Sequence, residues 1–169
     1  VGEFLDEYER TFPKYNKEVL SEFLKIKSEL PFTPKIIDDW IHIITHMSDT
    51  MEDGVVHTLE YLKARGSSIV VLTNWFGDTQ IPRLKHAGIY DYFDDVFHGD
   101  YQLKPHKDAY ITARGDFSPE KCLFIGDNVD KDYIGPRACG MDSVLYDKKD
   151  LHHESIVKVK KINELIGRY

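Results

Sequence analysis

Over the first fifty residues the apolar positions recur at helical spacing. Val19, Leu20, Phe23, Leu24 and Leu30 form one stripe, and Glu18, Glu22, Lys25 and Glu29 fill the rest of the cylinder. Leu30-Pro-Phe-Thr-Pro34 predicts a turn, because Pro31 and Pro34 both disfavour a helical predecessor. Ile37, Trp40, Ile41, Ile44 and Met47 then predict a second helix. No strand pattern interrupts this part, so residues 1–52 read as a helical module.

From residue 53 helices and strands alternate. Val55, Val56, Leu59 and Leu62 form a helical stripe that stops at Arg65-Gly66. Ile69–Leu72 reads as a buried strand, followed by Thr73-Asn74-Trp75. A helix with Ile81, Leu84 and Ala87 ends at Gly88, and Val96-Phe97 is a short strand. Lys104-Pro105 opens a helix carrying Ala109, Tyr110 and Ala113. Cys122–Ile125 is an apolar run without alternation, as in a strand covered on both faces. A helix to about Cys139-Gly140, a strand at Ser143–Tyr146 and a final helix over about Val159–Ile166 complete the pattern. Strands alternating with helices of this length imply parallel βαβ units, hence an α/β fold.

Composition narrows the function. A chain of 169 residues with 41% hydrophobic content makes one domain, or one domain with a small appendage. The formal charge of −7 argues against a general nucleic-acid grip and against an anionic membrane surface. No apolar run is long enough to span a bilayer, and no signal peptide is visible. Cys122 and Cys139 read as buried free thiols of a reducing compartment, so a cytoplasmic location is expected.

The candidate chemistry gathers at predicted strand ends. Gly126 permits a sharp turn after the apolar run, which places Asp127 at the carboxyl edge of a parallel sheet, where open α/β folds bind ligands. Asp130 and Asp132 follow. Three carboxylates so close repel one another unless a cation joins them, and Mg²⁺ accepts one or two carboxylates plus water and phosphate oxygens. Helix capping by Asp127 and Asp130 is the plainer reading. Thr73 and Asn74 could offer a hydroxyl and helix-start amides to a phosphate, or simply end a strand. Lys104 stands at a helix entry, where the dipole is already positive; the placement makes sense if it faces an anion, although most lysines are solvated. Together Thr73, Lys104, Asp127 and Asp132 supply a donor, a cation and two metal-type carboxylates, a set suited to phosphoryl transfer. His42 and His46 lie four apart on one helix, the spacing of a helical zinc pair, but Ile43 stands where a zinc protease places its Glu, and a plain polar face is the expectation.

These residues, in this order, resemble the haloacid dehalogenase superfamily of hydrolases. The second family motif is matched by Val70-Val-Leu-Thr73-Asn74, the third by Lys104-Pro105, and the fourth by Gly126-Asp127-Asn-Val-Asp-Lys-Asp132. The resemblance covers about residues 53–148. It implies a three-layer Rossmann-like parallel sheet, with residues 1–52 as a small helical cap and 53–169 as the core. It further implies that Thr73 and Asn74 bind a phosphoryl group, that Lys104 neutralises it, and that Asp127 and Asp132 hold Mg²⁺ directly or through water. The implied activity is a Mg²⁺-dependent phosphatase on a small phosphorylated metabolite, acting as a monomer or homodimer. Alternatives are a metal-independent haloacid dehalogenase and a non-catalytic binding protein.

The family's first motif, a strand ending in Asp-x-Asp with the nucleophile, has no match here. Phe4-Leu-Asp6-Glu-Tyr8 is nearest, but Tyr replaces the second Asp. In the family that strand is central, between those matched by Ile69–Leu72 and Cys122–Ile125, and it precedes the cap. The expectation is therefore a strand upstream of Val1 and an inactive chain without it. Each buried backbone group that such a strand would pair costs about 1–3 kcal/mol if left unpaired, against a domain stability of about 5–15 kcal/mol.

Overall fold

Helices α1 (Gly2–Thr11), α2 (Lys17–Ser28) and α3 (Pro34–Thr45) open the chain in a computed structural model that describes residues 2–47 and 50–169. Their starts follow from local chemistry. Asn16 and Thr33 are extended, and their side chains accept from the Val19 and Ile36 amides, with Pro34 in the first turn of α3. Leu20, Leu24, Ile37 and Ile41 face inward and are buried. Val19, Leu30 and Met47 are exposed instead of completing the apolar stripes; Leu30 and Met47 lie beyond the helix ends.

The second part alternates through α4 (Val55–Ala64), β1 (Val70–Leu72), α5 (Gly77–His86), β2 (Asp95–Phe97), α6 (Lys107–Arg114) and β3 (Leu123–Gly126). A π-helical turn (Val129–Ile134) then runs into the short α7 (Gly135–Ala138), followed by β4 (Asp142–Tyr146) and β5 (Lys158–Val159). Every strand pair is parallel, with Val71 opposite Val96, Ile125 opposite Val144 and Leu145 opposite Lys158. The α/β class with parallel strands is as expected.

The strands, however, form two sheets, β1–β2 and β3–β4–β5, and among the described residues no strand lies between β1 and β3. From the sequence, Ile69–Leu72 reads as a buried strand and Cys122–Ile125 as one covered on both faces. Both are instead half-exposed, with Val70 at the more open end of β1, whereas Ser143, Val144 and Leu145 of β4 are buried. The difference is one of neighbours: β4 has a strand on each side, while β1 and β3 have one each.

Two local expectations are corrected. The final helix over 159–166 is instead the end of β5 followed by a 3₁₀ turn at Ile162–Leu165. Val157 and Val159 alternate with Lys158 and Lys160, a strand period that outweighs the helical reading. The helix expected after β3 is the π turn plus four residues of α7, with Pro136, which has no N–H to donate, near the junction.

The larger core cluster joins Tyr8, Tyr15, Leu20, Leu24 and Ile37 of the helical part to Phe76 and Leu103, which follow β1 and β2. Each such side chain contributes about 1.5–3 kcal/mol when fully buried. Two backbone bonds reinforce the contact, Tyr15 N to Gly99 O and Leu103 N to Pro13 O, both 2.7 Å. The helical residues thus pack directly on the loops at the carboxyl ends of β1 and β2. Cys122 and Cys139 are free but only half-buried, less enclosed than expected; burial still pushes both thiols up. Among the described residues no helix is long and apolar enough to cross a membrane.

Candidate active site

Thr73 leaves β1 with its amide donating to Phe97 O at 3.0 Å, which continues the β1–β2 ladder by one rung. Its hydroxyl accepts from the Trp75 amide at 3.3 Å. Asn74 turns its carboxamide to residue 104: Lys104 N donates to Asn74 Oδ1 and Asn74 Nδ2 donates to Lys104 O, each at 2.7 Å. From that anchored backbone the Lys104 side chain reaches the turn after β3, where Nζ lies 2.6 Å from Asp132 Oδ1. The side chains of Lys104 and Asp132 are 11% and 6% exposed, so little solvent screens the pair. The Lys104 ammonium also stands 5.3 Å from the centre of the Phe124 ring.

Asp132 is held from its other oxygen by the Asn128 amide at 3.0 Å. Its carboxylate lies directly over Gly126, where a Cβ would collide with it. Gly126 is therefore needed for close approach as well as for the turn. Asp127, the first residue past β3, is exposed. Asp130 points the other way, 3.1 Å from Arg10 of α1. The acids of this turn are thus separated: one is paired internally, one is paired with α1, and one is left at the surface.

Of the residues singled out in the sequence, the structure joins Asn74 to the Lys104 backbone and the Lys104 side chain to Asp132; Thr73 stands next to Asn74 at the end of β1, and Asp127 lies on the same turn as Asp132. His42 and His46 share an exposed face with ring centres 4.3 Å apart, and His46 Nδ1 lies 2.8 Å from the His42 carbonyl. Among the described residues no set of three or more His, Cys, Asp or Glu is arranged to hold a metal. For the expected Mg²⁺, Asp127 would offer an exposed carboxylate, whereas both oxygens of Asp132 already have partners in Lys104 and the Asn128 amide. A single carboxylate fits the ion's preference for hard oxygen and few carboxylates, and leaves most of its shell to other groups.

One cluster escaped the sequence reading. Lys131, between Asp130 and Asp132, turns its ammonium to α1, 2.6 Å from Asp6 Oδ1 and in contact with Glu9 Oε2. Glu9 is buried and also accepts from the Tyr15 hydroxyl at 2.6 Å. Burial would push the Lys131 ammonium down, but the hydrogen bonds and charges of Asp6 and Glu9 prevail and raise it. Tyr110 caps the other side, donating its hydroxyl to Lys131 O at 2.6 Å; its pKa is raised by burial first and by the Asp132 charge second. Asp6 and Glu9, three apart and so on one helix face, were the available signal. Asp6 lies in mid-helix rather than at a strand end, so it cannot stand in for the absent first motif.

The family model for haloacid dehalogenase-like hydrolases matches residues 3–140. The chain belongs to this family of hydrolases. It is 38% identical over 80 residues to a phosphoglycolate phosphatase of Nitrosococcus oceani, a match covering 45% of this chain and 36% of that protein. It is 32% identical over 120 residues to a glyceraldehyde 3-phosphate phosphatase of Methanocaldococcus jannaschii, covering 67% of this chain and 53% of that one. Among solved structures, the putative hydrolase YfnB of Bacillus subtilis bound to magnesium superposes with a TM-score of 0.73 at 20% identity, over 97% of this chain and 76% of that one. The L-2-haloacid dehalogenase of Xanthobacter autotrophicus gives 0.67 at 18% identity, over 88% and 71%. These likenesses show the fold. The chain spans about a third to a half of the curated relatives it matches.

Proposed function

We propose that this chain belongs to a Mg²⁺-dependent phosphatase acting on a small phosphorylated metabolite. The observation that carries the reading is the buried Lys104–Asp132 pair, set between the ends of β1 and β3 with Asp127 exposed on the same turn. In this reading Lys104 neutralises a phosphoryl oxygen and the Thr73 hydroxyl orients the group. Asp132 holds the Lys104 ammonium and Asp127 offers a carboxylate oxygen to the metal. Bound Mg²⁺ would supply charge neutralisation at the phosphoryl oxygens. The nucleophile is an Asp on a strand outside this sequence, seated between β1 and β3, and it takes the phosphoryl group as an aspartyl-phosphate. Residues 1–52 act as the cap that excludes water from the site. The named substrates of the relatives, phosphoglycolate and glyceraldehyde 3-phosphate among them, support the small-metabolite assignment. A cytoplasmic monomer or homodimer fits the free thiols.

The test uses the complete encoded protein with p-nitrophenyl phosphate, phosphoglycolate and glyceraldehyde 3-phosphate, with Mg²⁺ and after chelation. Turnover that requires Mg²⁺ is expected. Asp127→Asn should raise the Mg²⁺ concentration for half-maximal rate by about tenfold or more. Unchanged turnover at limiting Mg²⁺ would refute the role of Asp127, and release of halide from an added 2-haloacid after chelation would transfer the protein to the dehalogenases.

A further inference from the structure

We propose that Asn74 is a positioning residue for Lys104 rather than a contact of the phosphorylated ligand, an inference whose kinetic part rests on the function just proposed. The carboxamide grips both the N–H and the C=O of residue 104, at 2.7 Å each. This fixes the backbone on both sides of the Lys104 Cα from the end of β1. The preceding residue is fixed as well, since Leu103 is buried and its amide donates to Pro13 O at 2.7 Å. The Lys104 side chain then crosses to the other sheet and ends 2.6 Å from Asp132. Thr73 and Asn74 therefore divide the work of one strand end. The hydroxyl of the first stays near the ligand position, while the amide of the second aims a cation that belongs to another loop.

The geometry also accounts for the residue type. A carboxamide carries its acceptor and its donor on separate atoms, so it pairs with a single residue's N–H and C=O at once. An Asp at 74 would keep the bond from Lys104 N but set a second acceptor against Lys104 O. An Ala would keep neither. A Lys side chain has enough rotamers to leave Asp132 once its backbone is loosened.

The experiment has two arms. On the chain as it stands, NMR of the Lys104 ammonium in wild type, Asn74→Ala and Asn74→Asp reports whether the ion pair with Asp132 is kept, with Lys104→Met providing the assignment. Faster ammonium exchange in Asn74→Ala, and an intermediate rate in Asn74→Asp, are expected. In the complete protein, Asn74→Ala should lower kcat about 10- to 100-fold with little change in KM, as a displaced catalytic group does. Added to Lys104→Met it should cost nothing further. A ligand contact would instead raise KM and add to the loss from Lys104→Met; that result, or an ammonium signal untouched by Asn74→Ala, overturns the proposal. If the wild-type protein hydrolyses no phosphomonoester, the proposed function fails, and the ammonium arm still decides what Asn74 does. Should Asn74→Ala not fold, Asn74→Asp carries both arms.

Discussion

Lys104 and Asp132 form a structural tie that, in the proposed function, is also a chemical tool. At 2.6 Å and nearly out of solvent, the pair attracts strongly, but both members have lost most of their hydration. The physical consequence is asymmetry. Lys104→Met leaves the Asp132 carboxylate buried with the Asn128 amide as its remaining partner, and should destabilise the chain by about 3–5 kcal/mol. The double variant Lys104→Met with Asp132→Asn removes the stranded charge, so it should be more stable than Lys104→Met alone. Urea denaturation of the four proteins measures this; a double variant as unstable as the sum of the single ones would mean that the two side chains do not interact. The pair was legible in the sequence because Lys104 precedes a proline at a helix entry and Asp132 follows a strand-ending Gly-Asp. Their separate motifs said that each sits at the sheet edge. Their direct contact, and the use of Asn74 to aim the lysine, depend on side-chain geometry that no spacing encodes.

Among the elements, α1 is the one whose role the sequence concealed. Its residues read simply as part of a helical stretch, because a helix face that carries Asp6, Glu9 and Arg10 looks like a solvated surface. In the structure that face meets the acidic turn: Lys131 takes Asp6 and Glu9, and Arg10 takes Asp130. The helix is thereby clamped to the two residues lying just before Asp132. The three contacts differ in weight because they differ in burial. Glu9 is 7% exposed at its side chain and Asp6 45%. Lys131→Met should therefore cost about 3–5 kcal/mol by stranding Glu9, whereas Asp6→Asn should cost less than about 1 kcal/mol. Glu9→Gln, which can still accept from Tyr15, should lie between them. Hydrogen exchange across α1 checks the ranking: protection should fall most in Lys131→Met, and equal loss in Asp6→Asn would mean that the exposed contact carries the clamp. The same distinction between pattern and context explains the misread C-terminal segment. Val157 and Val159 alternate with lysines, a strand period that the helical reading passed over, and pairing with β4 fixes two residues of it as strand.

For the molecule as a whole, what the alternation of helices and strands does not reveal is the break in the sheet. Sequence spacing implied a continuous parallel sheet, and the motifs implied that one strand of it was absent; the structure has two sheets, with β1 and β3 each paired on one side. The helical part does not close the gap with strands. It packs Tyr8, Tyr15 and Ile37 against Phe76 and Leu103 in the loops that follow β1 and β2. Parallel strands are normally covered on both faces and paired on both edges, because an unpaired edge leaves a row of amide and carbonyl groups without partners. Such an edge should also be the place where the chain opens first. Amide exchange should accordingly be faster in Val70–Leu72 and Leu123–Gly126 than in Val144 and Leu145, which are buried and flanked by strands on both sides. In the complete encoded protein, if a strand seats between β1 and β3 as proposed, the same amides should slow by orders of magnitude. The difference should persist without Mg²⁺ and without substrate, because it reports backbone pairing and not ligand binding. Equal protection of β1, β3 and β4 in the isolated chain would mean that the two sheets close on each other in solution. No room would then remain for a strand bearing the nucleophile, and the phosphatase reading would lose its structural basis together with its chemistry.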